Sequence, residues 1–103
     1  MSGYRLHPEA LIDIDEIRAY IAEDSPDAAD RFVNTIFDRI RGLVAFPHQG
    51  YRRPNLASRP LRFAVVHEYV IAYAPETMPL HVLAVFHGRR SPRMMAAILR
   101  RRG

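Results

Sequence analysis

Cysteine is missing from all 103 residues, and so is lysine. Without a thiol the chain forms no disulfide framework, no thiolate zinc site and no cysteine nucleophile, and it suits a reducing cytoplasm. Without an ammonium side chain no residue can act as a lysine base, Schiff-base former or lysine phosphate ligand, and the basic side chains are fifteen arginines. No apolar run approaches the ~18 residues of a membrane span. The opening Met1-Ser2-Gly3-Tyr4-Arg5 also lacks a signal-peptide core, so a soluble, cytoplasmic chain with no membrane partner is expected. Repeats, low-complexity linkers, a Gly-x-Ser-x-Gly elbow and a phosphate-cradling glycine loop are absent too, which argues against classical hydrolases and nucleotide-binding folds.

What is present fits one domain over residues 1–103, with 49% hydrophobic content to fill its core. The net charge of +4 hides an asymmetry. Residues 1–50 hold five arginines against nine carboxylates, −4, while residues 51–103 hold ten arginines against Glu68 and Glu76, +8. The second half therefore faces a polyanion, a nucleic-acid enzyme or an acidic protein.

Tyr4 to His7 reads as a short strand ended by Pro8. From Glu9 to about Glu23, Leu11, Ile14, Ile17 and Ile21 recur at helical spacing and form one apolar stripe. Ser25-Pro26-Asp27 starts a second helix, with Ser25 as N-cap and Pro26 in the first turn, and the short joint makes the two an antiparallel hairpin. Its apolar face holds Phe32, Val33, Ile36, Ile40 and Leu43. A basic loop follows over residues 47–60, with room for a short edge strand near Tyr51. Strands are expected over Leu61 to Val66, Tyr69 to Ala74 and Val82 to Phe86, the first two joined by the tight turn His67-Glu68. Ser91-Pro92 then opens a short helix over Arg93 to Leu99, and Arg100 to Arg102 are expected to be a mobile tail. The fold class is thus α+β: an N-terminal strand, a helical hairpin, a three-stranded antiparallel sheet and a short C-terminal helix. Such a layout places one sheet face under the hairpin and leaves the other open.

Chemistry-bearing residues are few. His7, His48, His67, His81 and His87 fit no metal-ligand spacing, and no metal or other cofactor is expected. Glu9, Asp13 and Glu16 share a helix face and read as a solvated acidic side. Ser2, Ser25, Ser58 and Ser91 sit in turn or cap contexts. The arginines remain: Arg52, Arg53, Arg59, Arg62, Arg89, Arg90 and Arg93 either are mostly solvated or partner-pairing charges, or converge, because the loop leads into one strand and the turn leaves another. Met94, Met95, Ile98 and Leu99 either seal the core or form an apolar patch that awaits a partner.

Four pieces carry a resemblance that spans Tyr4 to Leu99. They are Tyr4-Arg-Leu-His-Pro-Glu-Ala10 with Asp13-Ile-Asp-Glu-Ile17, Ser25-Pro-Asp-Ala-Ala-Asp-Arg-Phe32, Leu61-Arg-Phe63 with Tyr69-Val-Ile-Ala-Tyr73, and Val85-Phe-His-Gly-Arg-Arg90. Together they resemble the RelE/ParE superfamily, the toxins of bacterial type II toxin-antitoxin systems. The resemblance implies a helical hairpin packed on a twisted antiparallel sheet, and a cognate antitoxin as partner.

Its two branches imply different work. RelE-like members are ribosome-dependent mRNA endonucleases, whose chemistry needs a base, an acid and cations on the scissile phosphate. This chain has no lysine, has Val70 where a strand arginine would fall, and has no tyrosine beyond Tyr73; only Arg90, with His87 as a substitute base or acid, matches. ParE-like members are associated with inhibition of DNA gyrase, which needs a shaped binding surface and no acid-base set. The chain is closer to ParE, so an enzyme is not the expectation. The resemblance then implies a target-binding surface of Arg62, His87, Arg89, Arg90 and Arg93, with Met94, Met95, Ile98 and Leu99 as the antitoxin dock. The alternatives are the mRNA endonuclease and a family member that serves only as a nucleic-acid-binding or partner module.

Overall fold

The computed structural model describes residues 3–103; Met1 and Ser2, with the readings placed on them above, lie outside the described residues. The elements run β1 (Tyr4–Leu6), α1 (Pro8–Ala22), α2 (Pro26–Ala45), β2 (Tyr51–Arg52), β3 (Arg62–Val66), β4 (Tyr69–Ala74), β5 (Leu80–His87) and α3 (Pro92–Arg102). Each helix begins on a proline, where the missing N–H costs nothing, and each has a side-chain cap. Ser25 Oγ accepts from the Ala28 N–H at 3.2 Å, and Ser91 Oγ from the Met94 N–H at 3.2 Å. His7 Nδ1 does the same work for α1, accepting from the Glu9 N–H at 3.1 Å.

The strands form one five-stranded sheet in the order β1-β5-β4-β3-β2. β1 is parallel to β5, pairing Tyr4 with Leu80, and all other neighbours are antiparallel. The expected three-stranded unit is therefore the centre of a wider, mixed sheet, with the first strand on one flank and the two-residue β2 on the other. In the turn between β3 and β4, His67 adopts φ +54, which supplies the left-handed residue that this tight joint requires in the absence of glycine.

A bulge in β5 decides what each face sees. Ala72 opposes Ala84, but Tyr73 opposes Val82, so Leu83 is the extra residue. Val82 and Val85 consequently reach the hairpin side, where they join Ile14, Ile17, Ile36, Ile40, Ile71 and Tyr73. Leu83, Ala84 and Phe86 reach the opposite side, where Met95, Ile98 and Leu99 of α3 close over them with Leu56, Leu61 and Phe63. The second face is thus covered, contrary to the expectation of an open one. The physical reason is visible in β5, which is apolar on both sides of its pleat, as strands buried on two faces are.

The expectation of a mobile Arg100 to Arg102 tail is also overturned. These residues form the last turn of α3, where cations complement the helix dipole. Arg102 folds back across the sheet edge, with only 7% of its side chain exposed.

Candidate functional site: a mixed-charge cleft at the end of β5

β1 stops at Leu6, after which the His7 N–H still donates to Val82 O at 2.8 Å. Beyond that point β5 has no strand on its outer side, and its backbone groups need other partners. Two side chains from opposite layers supply them. Asp13 of α1 accepts the Val85 N–H at 3.0 Å, and Arg102 of α3 donates to Leu83 O at 3.1 Å. The two side chains then meet in a bidentate pair, Nη1 to Oδ2 at 2.6 Å and Nη2 to Oδ1 at 3.1 Å, with Glu9 Oε1 3.8 Å from the same guanidinium. Asp13, expected on a solvated acidic face, is instead 15% exposed and part of a brace between helices that sandwich the sheet. The legible signal was its place beside the stripe: Ala10 and Ile17, three before and four after it, are both buried.

Next to this brace lies a cleft of about 440 Å³. α1 lines it with Asp13, Glu16, Ile17 and Tyr20, the β3-β4 turn with Glu68 and Tyr69, and the end of β5 with Val85, Phe86, His87, Arg89 and Arg90. The turn that carries the arginines is fixed locally. Gly88 N–H donates to Glu68 O at 2.8 Å, and a Cβ at Gly88 would come within 3.3 Å of that oxygen, so glycine allows the close approach. His87 Nδ1 accepts the Arg89 N–H at 3.0 Å, and its ring meets Tyr69 edge-on at 5.2 Å. His87 is therefore anchored through Nδ1, which leaves Nε2 as its other polar atom. Burial, then Glu68 and Tyr20, push the Tyr69 phenol above its ordinary value of 10.0, so it stays a protonated donor at the cleft wall.

Of the residues singled out from the sequence, His87, Arg89 and Arg90 come together in this cleft. Arg62 does not. It pairs with Tyr73 across β3-β4, whereas His87 pairs with Tyr69, which separates them by roughly 13 Å along the strands alone. Its Nη1 donates to Gly50 O at 2.7 Å beside the Tyr73 hydroxyl, which donates to Pro47 O at 2.6 Å and accepts the Gly50 N–H at 3.1 Å. Arg62 thus holds the turn after α2, and the seven arginines do not converge: Arg89 and Arg90 share the cleft, while Arg52, Arg53 and Arg59 lie around a separate hollow. Arg93 is exposed in the first turn of α3, outside the cleft lining. Met95, Ile98 and Leu99 are core residues of the second sheet face, and Met94 alone of that quartet is exposed, at 53%. Glu16, Tyr20, Glu68 and Tyr69 were not singled out for the cleft from the sequence, because nothing in their local spacing shows that α1 and the β3-β4 turn flank the same strand end.

Chemically, the cleft combines carboxylates, guanidiniums, a histidine and two phenols. Neither Arg89 nor Arg90 has a carboxylate within 4 Å among the described residues. No group of three potential metal ligands occurs among the described residues, and no helix is long and apolar enough to cross a membrane.

Comparison with known proteins follows the same outline. Residues 4–92 match the family described as the ParE toxin of the type II toxin-antitoxin system, parDE. A candidate toxin of Sinorhizobium fredii, Y4kP, is 34% identical over 87 residues, covering 79% of this chain and 82% of that protein. Toxin RelE2 of Caulobacter vibrioides is 34% identical over 82 residues, covering 79% of this chain and 89% of that protein.

Proposed function

The chain belongs to the ParE toxin family of type II toxin-antitoxin systems, within the RelE/ParE superfamily, and on that premise we propose that it arrests growth by binding DNA gyrase and is neutralised by a cognate antitoxin. The observation that carries this reading is the sign pattern of the cleft. Arg89 and Arg90 face the same 440 Å³ space as Glu16 and Glu68, so a phosphodiester drawn in by the guanidiniums meets two carboxylates. A protein surface with charges of both signs and an apolar anchor for the exposed Tyr20 suits that lining better than RNA does. Coverage of the second sheet face by α3 supports the same reading, because it removes the open face on which a polynucleotide would otherwise lie.

A gyrase supercoiling assay with the purified chain tests it, run beside mRNA cleavage on translating ribosomes. Inhibition of supercoiling that is lost in Arg89→Ala/Arg90→Ala is the expected result. The second reading, a RelE-type endonuclease, is favoured by one arrangement: His87, with Nδ1 anchored, shares the cleft with Arg90. Ribosome-dependent cleavage that disappears in His87→Ala, with supercoiling untouched, would establish that alternative. Expression without antitoxin that leaves growth unimpaired would favour the third, a partner or nucleic-acid-binding module.

A further inference from the structure

Three of the arginines excluded from the cleft form a group of their own. Arg52, Arg53 and Arg59 line a small pocket of about 120 Å³ together with Ser58, between Pro54 and Pro60. The loop that shapes it is held rather than loose. Leu56 and Leu61 are buried in the second core, the Leu56 N–H donates to Arg53 O at 2.9 Å, and the Leu61 N–H donates to Arg59 O at 2.8 Å. Arg53 rests against α3, its Nη1 3.9 Å from Met95 Sδ. Arg59 Nη1 is buried next to Gly103 and has no hydrogen-bond partner among the described residues.

No carboxylate of the described residues lies within 4 Å of these three guanidiniums. Glu76, which shares neighbouring hollows with Arg52 and Arg59, is bonded to His48 at 2.8 Å instead. Three positive groups gathered on one preformed pocket repel one another, and an anion that bridges them turns that repulsion into binding. We propose that this pocket is a phosphate-binding site, built by Arg52, Arg53, Ser58 and Arg59 and independent of the cleft at the end of β5. A phosphate presents oxygens in several directions, so three guanidinium forks and a hydroxyl can each find an acceptor. A protein carboxylate has two oxygens and a single charge, which leaves part of the triad unanswered. The two sites are set at opposite ends of the sheet, on the order of 20 Å apart by strand spacing and rise. The phosphate has two possible sources, a free phosphate compound or the backbone of a nucleic acid, and the experiment separates them.

Backbone amide spectra of the folded chain are to be recorded while inorganic phosphate is added, and in a parallel titration a short single-stranded oligodeoxynucleotide. Shifts confined to residues 52–61, weakened about tenfold or more in Arg53→Gln, are expected. The double variant Arg52→Gln/Arg53→Gln should abolish them, and Arg89→Gln/Arg90→Gln should leave them in place. Arg59→Gln is a weaker probe, since Arg59 packs against the end of α3; circular dichroism verifies that Arg53→Gln, which gives up the Met95 contact, and the double variant keep the fold. Saturation by the oligonucleotide at far lower concentration assigns the site to nucleic-acid backbone, and response to inorganic phosphate alone assigns it to a free phosphate compound. Unshifted 52–61 amides in both titrations, or equal shifts in the double variant, overturn the proposal. So does a glutamate-rich peptide that shifts these amides while phosphate does not, which would give the pocket to an acidic protein segment.

Discussion

Replacing Asp13 by alanine should be the most damaging single surface-side change in the molecule. The substitution strands the Val85 N–H on the open edge of β5 and leaves the Arg102 side chain, 7% exposed, with only Leu83 O and, at 3.8 Å, the half-exposed Glu9 carboxylate. An unpaired buried charge costs about 3–5 kcal/mol, and an orphaned N–H about 1–3 kcal/mol. The two do not simply add, because Arg102 lies in the last turn of α3 and can return its charge to water by fraying that turn. The lower end, ~3 kcal/mol, is therefore expected, equivalent to a fall in Tm of about 12–24 °C for a domain of this size. Urea unfolding followed by circular dichroism gives the number, and amide exchange gives its location, with α3 and the end of β5 losing protection first. Arg102→Met and the double variant complete a cycle, with a coupling of ~1–3 kcal/mol expected for groups in direct contact. Asp13→Leu combined with Arg102→Met should recover most of the loss, since a packed apolar pair can replace a buried ion pair at little cost. A loss below about 0.5 kcal/mol in Asp13→Ala, or full additivity in the cycle, would refute the brace.

Stability should also depend on pH through His81. Burial, then Arg5, His7 and Arg59, hold it below its ordinary 6.5, so the unfolded chain binds its proton more readily than the folded one. Stability is then lost as pH falls below about 6.5, levels off once the folded value is passed, and is recovered on raising the pH; Tm measured across pH 4–8 in wild type and His81→Gln should show a flatter curve in the variant. Tyr73→Phe removes the donor to Pro47 O and the acceptor of the Gly50 N–H, and is expected to destabilise by about 1–3 kcal/mol in denaturant titration. Gly50→Ala should do comparable damage by overpacking, since its Cβ would lie 2.6 Å from the Tyr73 hydroxyl and 2.8 Å from Phe63 O. Arg62→Ala should lower stability while leaving target binding near wild type, the reverse of Arg89→Ala/Arg90→Ala, as gyrase inhibition and thermal melts run side by side will reveal.

Local signals were legible where local physics decides. Ser25-Pro26 and Ser91-Pro92 are caps in the structure as the residues predict, and the strands around Phe63, Ile71 and Ala84 fall where β-branched and aromatic residues gather. Long-range pairing was not legible. Nothing in Tyr4-Arg5-Leu6 says that it lies parallel to Leu80–Val82, and nothing in Asp13 or Arg102 names the other as its partner. The bulge at Leu83 is hidden for a further reason: it changes which residues face each layer without changing their apolar character, so a continuous run such as Val82 to Phe86 conceals it. In the cleft, the turn His87 to Arg90 could be read in advance because its charge is contiguous, whereas Glu16 and Glu68 reach it from separate elements.

The pairing of β1 with β5 also sets a timetable. At about 5–20 residues per second of synthesis, roughly 4–15 s separate the making of Leu6 from that of Leu80. For roughly the last 2–7 s of it, from Ala45 to Leu80, α1 and α2 are complete without β5 of the sheet that buries Ile14, Ile17, Ile36 and Ile40. The growing chain thus carries its apolar stripe uncovered before Arg89 and Arg90 have been added and before Arg102 can lock the edge.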